Sequence, residues 1–279
     1  MTINPISLHF LQEHPKDAAR ALEQFEPALL ADFLQQAPVR TAATVIRYLV
    51  PSIASECLRN MDVEKSSQII MKLGVERAAL LLRRMKTGFQ VQFIRAMTPV
   101  FANMTRLVLR YPVGTVGHAM NPNIFTVHQD MTIQEVSNVI KNSDEHYQNE
   151  IFVTGDKQEL CGIVNIRQLM TNDVKQTMKK IMLPPGRSIP ARSTLESLRI
   201  HPDWNLNENI PVVDHLGEFI GVLDRKTIHE SLFGKITAGQ EDDFGGTAIA
   251  LAELVWNACA HFLAPDNQNM NKDRNDERD

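Results

Sequence analysis

The residues that could do chemistry are spread along this chain without the spacing of a catalytic motif. The nine histidines are dispersed, and His215, which follows Asp214, falls in a predicted turn. The phosphate-binding motif G-x-x-x-x-G-K-S/T, the zinc motif H-E-x-x-H and the nucleophile motif G-x-S-x-G do not occur, and Gly114 and Gly117 stand outside any G-x-G-x-x-G. The sequence therefore predicts a binding or regulatory protein and not an enzyme.

The elements that must position any binding residues are duplicated. A Met-x-Pro segment at Met120 recurs at Met182, about 62 residues later, and a strand glycine at Gly162 recurs at Gly221, about 59 residues later. Each copy places a short apolar stretch and a threonine-initiated helix start, at Thr132 or Thr194, before two strands joined by a turn. A unit doubled in this way buries its copies against each other and forms a cleft at an approximate twofold axis, where small ligands usually bind.

This β-α-β-β-α unit, occurring twice, resembles a pair of CBS domains, the Bateman regulatory module, over about residues 112–233. The most recognisable part is the second hairpin, which reads Ile210-Pro211-Val212-Val213-Asp214, Gly217 and then Phe219-Ile220-Gly221-Val222-Leu223. CBS domains that bind adenosine ligands follow the last strand with Gly-h-x-Ser/Thr-x-x-Asp, whose hydroxyl helps to hold phosphate and whose carboxylate accepts from ribose hydroxyls. Both copies here lack the Ser/Thr and the ribose Asp.

The CBS resemblance implies an adenine-nucleotide site at the ends of the two copies. Its candidate residues are Asn165, Arg167, Asp224, Arg225 and Lys226. The three basic side chains could offer positive charge to phosphate, whereas Asp224 would repel phosphate unless a cation intervened. The alternative is a CBS pair that serves dimerisation and transmission without nucleotide.

Residues 13–86 have the pattern of short helices, with helix-starting positions at regular intervals. These positions are Pro15, Pro27, Pro38, Pro51, Asp62-Val63 and Gly74-Val75. Proline is tolerated in the first turn of a helix but not inside it, so each of these positions predicts the start of a helix of about two turns. Helices so short need stacked neighbours, which predicts a right-angled helical solenoid. A longer helix kinked at Pro99 is predicted from about Gly88 to Leu109.

A helical array followed directly by a CBS pair resembles the cytosolic part of MgtE-type magnesium transporters, over about residues 10–245. The matching residues begin with His14-Pro15-Lys16-Asp17-Ala18-Ala19 and continue through Ala78-Ala79 and Leu81-Leu82. The most specific match is the junction Tyr111-Pro112-Val113-Gly114-Thr115-Val116-Gly117-His118-Ala119-Met120, which resembles the family's Tyr-Pro-x-x-Thr-x-Gly-x-x-Met. The family's multi-helix membrane domain does not follow in this sequence.

The MgtE resemblance implies bound Mg²⁺, because ions in that family screen repulsion between the helical domain and the CBS domains. Mg²⁺ takes oxygen ligands, keeps several waters and needs one or two carboxylates per ion. Candidate ligands are Glu13, Asp17, Glu23 and Glu26 in the helical part, and Asp214, Glu218, Asp224 and Glu230 in the CBS part.

The distribution of charge and the cysteine content indicate which partners and which location to expect for the protein. Residues 1–110 carry 14 Lys+Arg against 9 Asp+Glu, whereas residues 111–279 carry 15 against 24. The two parts could therefore attract each other or have separate partners. The basic part lacks interleaved exposed aromatic residues, so nucleic acid is not an expected partner. Three scattered cysteines without C-x-x-C and a polar N-terminus without a signal sequence predict a cytoplasmic location.

Residues 247–264 form the last apolar stretch. Glu253, Asn257 and His261 make one polar stripe along it, so it is predicted to be an amphipathic helix that docks on protein or lies at an interface. The polar tail at 265–279 is predicted to be disordered.

Together these observations predict an α+β chain: an MgtE-N-like helical domain at 10–110, CBS 1 at 111–172, CBS 2 at 173–234 and the C-terminal helix. The predicted function is that of a non-catalytic sensor which binds Mg²⁺, an adenine nucleotide or both, and changes its domain arrangement. A homodimer through the CBS domains is expected, with a membrane transporter or another protein as a further partner. The alternative is a ligand-independent interaction adaptor, or a regulatory subunit of a separate membrane protein.

Overall fold

The computed structural model describes residues 4–142, 150–198, 204 and 208–228. Those up to Lys65 form one compact unit, and those from Ser66 onward form a second. Helices occupy the first part of the chain and two small mixed sheets follow, so the predicted α+β class is confirmed. The predicted helix at 247–264 and the tail at 265–279 lie outside the described residues.

The helical part consists of short helices that begin at a constant interval. They are α1 (Pro5–Glu13), α2 (Pro15–Leu22), α3 (Pro27–Leu34), α4 (Val39–Tyr48), α5 (Pro51–Asn60), α6 (Val63–Leu73), α7 (Val75–Leu82), α8 (Thr87–Ala96) and α9 (Pro99–Leu109). From α3 onward, each begins 12 residues after the one before. The predicted starts are confirmed, with α4 beginning directly after Pro38. Proline fits the first helical position because its missing N–H would have no partner there.

The single long helix predicted between Gly88 and Leu109 is wrong. The chain forms α8 and α9 instead, and both Met97 and Thr98 between them have extended backbone, with ψ of 162° and 147°. A residue that precedes proline is disfavoured in the helical conformation, so Pro99 starts a new helix and does not kink an old one.

Each unit packs helices that are second neighbours in sequence. In the first unit α2 packs on α4 and α3 on α5, and in the second α7 packs on α9. Side chains that lie just after or near the end of one helix reach the N–H of the residue that precedes the third helix after it. Val50 N donates to Glu23 Oε1 (2.7 Å), Asp62 N to Gln35 Oε1 (3.1 Å) and Thr98 N to Met71 Sδ (3.5 Å), each across 27 residues. These bonds satisfy donors that helix starts leave open.

The sheets have the same order and the same irregularity. The first contains β1 (Thr126–His128), β2 (Glu150–Thr154) and β3 (Leu160–Asn165), and the second contains β4 (Ile189–Pro190), β5 (Asn209–Val213) and β6 (Phe219–Asp224). In each, the first strand pairs parallel to the second and the second antiparallel to the third, with a register shift after Val153 or Val212. The predicted duplication is therefore present in the fold.

The helical residues that the structure describes form longer helices in the first copy than in the second. In the first copy α11 (Ile133–Lys141) starts at Thr132, which forms a capping box with Glu135, and α12 (Ile166–Thr171) follows β3. In the second copy the described residues after Thr194 form a 3-10 turn at Glu196–Leu198.

Each repeat completes its core with a short helix that precedes the other repeat. The core of the first repeat contains Met178 and Ile181 of α13 (Met178–Ile181), and that of the second contains Val116 and Ala119 of α10 (Val116–Ala119). The exchange is symmetric, because Gly117 N donates to Ala191 O and Lys179 N to Gln129 O, at 2.8 and 2.9 Å. The sequence copies and the packed cores therefore do not coincide, and the boundary at 172/173 stays a prediction.

Candidate functional site

The ends of the two repeats place the predicted nucleotide residues at equivalent positions. Asn165 is the last residue of β3 and Asp224 the last residue of β6, 59 residues apart. Asn165 Oδ1 accepts from Gln168 N (2.9 Å), and Asp224 Oδ1 accepts from Thr227 N (2.6 Å). Both side chains therefore cap the helical turn that follows their strand. Asn and Asp are favoured at this position because their side-chain oxygen accepts from a backbone N–H of the first turn.

The basic candidates follow these caps. Arg167 and Lys226, which are equivalent residues, are both exposed in the first turn after the cap. Arg225 is held more firmly, because its N–H donates to Glu208 O (2.9 Å) and its Nη1 donates to Trp204 O (3.2 Å). Two exposed cations at equivalent places could each contact an anion, one per repeat.

A polar contact joins the two ends, and it involves residues that the sequence reading did not select. Asn209 Nδ2 donates a hydrogen bond to Glu150 Oε2, and the two atoms are 3.1 Å apart. Glu150 is the strand partner of Asn165, and Asn209 is the strand partner of Asp224, so the contact links both predicted sites. The 59-residue spacing would have identified the pair, since it relates Glu150 to Asn209.

The predicted metal ligands of the second repeat fall at opposite ends of one hairpin. Asp214 lies in the turn between β5 and β6, where its Oδ1 accepts from Leu216 N (2.8 Å) and Glu218 N (3.0 Å). Asp224 lies at the far end of the six-residue β6, roughly 17–20 Å away by strand geometry. The structure therefore brings Asp214 and Glu218 together but separates them from Asp224. Glu230 lies outside the described residues.

The predicted ligands of the helical part occupy α1, α2 and the residues just after α2. Glu13 ends α1, Asp17 is in the first turn of α2, and Glu26 precedes α3 with an exposed side chain. Glu23 is the exception, because its carboxylate holds Val50 N. Within the described part of the chain, no three His, Cys, Asp or Glu side chains are grouped so that they could hold a metal ion together. A site with one or two carboxylates per ion stays a prediction.

The junction before the first repeat is built around Tyr111. A Cβ on Gly117 would lie 2.4 Å from Tyr111 Cγ, so glycine is required where the ring crosses α10. Arg83 Nη2 donates to the carbonyls of Val108 (3.0 Å), Leu109 (3.1 Å) and Tyr111, which caps the end of α9. Burial, and to a lesser extent the charge of Asp214, raises the pKa of Tyr111.

The same junction contains a half-buried histidine. His118 lies on α10 beside Arg83, and its Nδ1 is buried without a hydrogen-bond partner among the described residues. Burial lowers the pKa of His118, and the nearby Arg83 guanidinium lowers it further. The motif of the junction did not single out this residue, since it occupies one of the variable positions.

None of the helices within residues 4–142, 150–198 and 208–228 has the length and apolar character that crossing a bilayer requires.

Comparison with known proteins identifies both parts of the chain. Residues 13–114 match the MgtE intracellular N domain, and residues 113–175 match the CBS domain. The magnesium transporter MgtE of Thermus thermophilus is 23% identical over 249 residues, which cover 87% of this chain and 54% of the transporter. That of Bacillus subtilis is 19% identical over 264 residues, covering 89% and 57%. The chain thus spans about half the length of these relatives.

A solved structure of the cytosolic domain of the Mg²⁺ channel MgtE in complex with ATP has the same fold. It superposes with a TM-score of 0.68 at 22% identity and covers 81% of this chain and 94% of that domain. The chain therefore matches the MgtE intracellular N domain and then the CBS domain, and its fold is similar to that of the cytosolic domain of MgtE.

Proposed function

We propose that this chain is a non-catalytic regulatory module of magnesium transport, which binds Mg²⁺, an adenine nucleotide or both, and changes its domain arrangement in response. The observation that carries the proposal is the shared fold with the ATP-bound cytosolic domain of an Mg²⁺ channel. The order of the two matched domains, helical and then CBS, supports the same conclusion.

For a nucleotide, the favoured site is the pair of equivalent strand ends. Arg167 and Lys226 supply one exposed cation each, and the Glu150–Asn209 contact holds the two ends together. Asp224 works against a phosphate, because its carboxylate sits where the other repeat has the neutral Asn165. A nucleotide should therefore bind more tightly at the first repeat than at the second, unless Mg²⁺ bridges Asp224 to the phosphates.

For Mg²⁺ alone, the favoured groups are Asp214 and Glu218, which share one turn. Asp214 spends one carboxylate oxygen on backbone N–H groups, and an ion would add to Oδ2 and to Glu218 with waters completing its shell.

The test is a thermal-melt titration of the purified chain with Mg²⁺, Ca²⁺, AMP, ADP and ATP. A ligand at a hundred times its dissociation constant stabilises by about 2.7 kcal/mol, which moves the melting temperature by several degrees. A saturable Mg²⁺ shift that NaCl at equal ionic strength does not reproduce would support ion binding. Absence of any shift with all five ligands would contradict the proposal.

Matched variants assign the ligand to a site. Asp224→Asn keeps an oxygen that can cap Thr227, as Asn165 does in the first repeat, and removes only the charge. Glu23→Gln likewise keeps the acceptor for Val50 N. We expect Asp224→Asn to strengthen nucleotide binding and Lys226→Gln to weaken it. Loss of the Mg²⁺ shift in Glu23→Gln, but not in Asp214→Asn/Glu218→Gln, would move the ion site to the helical part.

We further propose that the chain dimerises through its CBS repeats, by way of α12. Ile166 and Met170 stand one turn apart on this helix with exposed side chains, and Met170 is 81% exposed. Met170→Glu should halve the mass measured by light scattering. Leu216→Glu is the control, since Leu216 is 72% exposed in the β5–β6 turn, and an unchanged mass in both variants would argue against α12.

A second candidate function is a ligand-independent adaptor, or a regulatory subunit of a separate membrane protein. It is favoured by the caps, because Asn165 and Asp224 spend their side-chain oxygens on their own turns. An adaptor would show no melt shift with any ion or nucleotide, and a regulatory subunit would co-purify with a membrane protein.

A further inference from the structure

The joint between the last helices and the second repeat has an unusual distribution of charge. Arg83 follows α7, Arg110 follows α9 and Arg192 follows β4, and both Arg110 and Arg192 act electrostatically on Tyr111. Asp214 is the acidic group that acts on the same ring. Its Oδ1 accepts from Leu216 N and Glu218 N of its own turn, and its Oδ2 lies 3.6 Å from His215 Nδ1. Among these named groups the joint therefore has three cations against one carboxylate.

Arg83 and α10 hold this joint together. The Arg83 guanidinium donates to three carbonyls at the end of α9. On the other side, Val116 N of α10 donates to Ser193 O and Gly117 N donates to Ala191 O, both at 2.8 Å. Val75, Ala79 and Val108 of α7 and α9 share one buried cluster with Val116 and the second repeat. α10 is therefore the element that both sides of the joint contact.

His118 is the titratable residue of α10, and its surroundings suit the neutral ring. The buried Nδ1 can remain a bare acceptor in neutral histidine, whereas protonation would make it a donor with no described acceptor. The charged groups on the elements packed around α10 are Glu76, Arg77 and Arg83 on or after α7, Arg106 and Arg110 on or after α9, Arg192 after β4, and Asp224 at the end of β6. The carboxylate of Asp224 is already bonded to Thr227.

We propose that His118 is a proton-sensitive lock on this joint: the neutral imidazole keeps α10 docked on the second repeat, and protonation releases it. A charged imidazole would be a further cation beside Arg83, in a half-buried position where water screens the repulsion less than in bulk solvent. Release of α10 would loosen the contact between the α7–α9 pair and the second repeat, while leaving the first repeat intact. The chain would then respond to acidification through a residue that none of the proposed ligand sites uses.

The first repeat supplies an internal control. Lys180 is the residue equivalent to His118, and Lys179 N donates to Gln129 O as Gly117 N donates to Ala191 O. Acid should therefore weaken the hydrogen bond from Gly117 N to Ala191 O and leave the hydrogen bond from Lys179 N to Gln129 O unchanged.

The experiment is amide hydrogen exchange of the full chain between pH 8 and pH 5, corrected for intrinsic exchange. The protection of Gly117 and Met120 should fall below about pH 6.5, the ordinary histidine value, by up to tenfold per pH unit, which is the limit for one proton. Lys179 should not change. In His118→Gln the fall should disappear, and in His215→Gln, where the exposed ring of the β5–β6 turn is removed, it should persist.

A titration in the unaltered chain keeps the proposal testable if His118→Gln does not fold. The NMR signal of the His118 ring should titrate below the ordinary histidine value of about 6.5. Equal loss of protection at Gly117 and Lys179, a loss that persists in His118→Gln, or a His118 ring that titrates at or above that ordinary value would each overturn the proposal.

Discussion

Glu150 and Asn209 occupy equivalent positions in the two repeats, and they bond to each other across the approximate twofold axis. Asn209 Nδ2 lies 3.1 Å from Glu150 Oε2, and both residues are partly buried. Identical residues at this point would place two carboxylates or two amides face to face. The difference between the copies converts that self-contact into a charge-assisted hydrogen bond.

Asn209→Asp should turn this attractive contact into a repulsive one. Two partly buried carboxylates would repel each other, so the free energy of unfolding at pH 7 should fall by about 1–3 kcal/mol in urea denaturation. The loss should shrink near pH 4, where one carboxylate can hold a proton. Adding Glu150→Gln to Asn209→Asp should recover most of the stability, and failure to recover it would mean that the pair is not in contact.

The turn of the first repeat contains a strained residue that the second repeat avoids. Gln158 has φ of +59°, and its equivalent in the second repeat is Gly217, with φ of +82°. A left-handed conformation costs a non-glycine residue about 1–2 kcal/mol, part of which glycine loses again through its freer unfolded chain. Gln158→Gly should therefore raise stability by about 0.5–1 kcal/mol, and Gly217→Gln should lower it by about 1 kcal/mol. Equal and small effects of both substitutions in denaturant titrations would argue against the strain.

The repeated glycines of β3 and β6 leave room for the exchanged segments. A Cβ on Gly162 would lie 2.7 Å from Met182 and 2.8 Å from Leu183 O, and one on Gly221 would lie 2.8 Å from Asn121 O. Gly162→Ala and Gly221→Ala should each destabilise the chain by about 1–3 kcal/mol, because a backbone carbonyl cannot move aside as a side chain can. Gly88→Ala in α8 is the matched control, since a Cβ there meets nothing within 4 Å; its thermal melt should be unchanged or slightly higher.

The capping box of α11 should make the stability depend on pH. Glu135 Oε2 accepts from Thr132 N (2.7 Å) and Thr132 Oγ1 (2.8 Å), and these bonds lower the pKa of Glu135. A depressed carboxyl pKa adds stability that is present above the unfolded value and is lost as pH falls through the folded value. Glu135→Gln should melt below the unaltered chain at pH 7, and the two should converge near pH 3. A difference that persists at pH 3 would show that charge is not the cause.

The sequence predicted the parts of this fold that depend on local spacing. Prolines at Pro15, Pro27 and Pro51 start helices, and the recurrence of Met120 at Met182 revealed the duplication. The same spacing makes Asn165 equivalent to Asp224, although their role as caps became clear from their hydrogen bonds. Local patterns suffice here because proline and strand glycine act within a few residues.

What the sequence did not predict depends on contacts between distant residues. Nothing in the pattern around Val116 or Met178 tells which repeat each short helix packs against, since both repeats have apolar residues at equivalent positions. Glu23 illustrates the same limit for the candidate site, because a carboxylate that holds a backbone N–H 27 residues away reads like any surface acid. Which residues such a helix or side chain contacts within the chain is set by tertiary packing.

The exchange of α10 and α13 also orders events during synthesis on the ribosome. β1, β2 and β3 of the first repeat are complete at Asn165, yet their core still lacks Met178 and Ile181. The nascent first repeat therefore waits for residues that belong to the following linker and can close once Ile181 has emerged. α10, although made earlier, finds its strand partners only when β6 emerges, so the second repeat closes last.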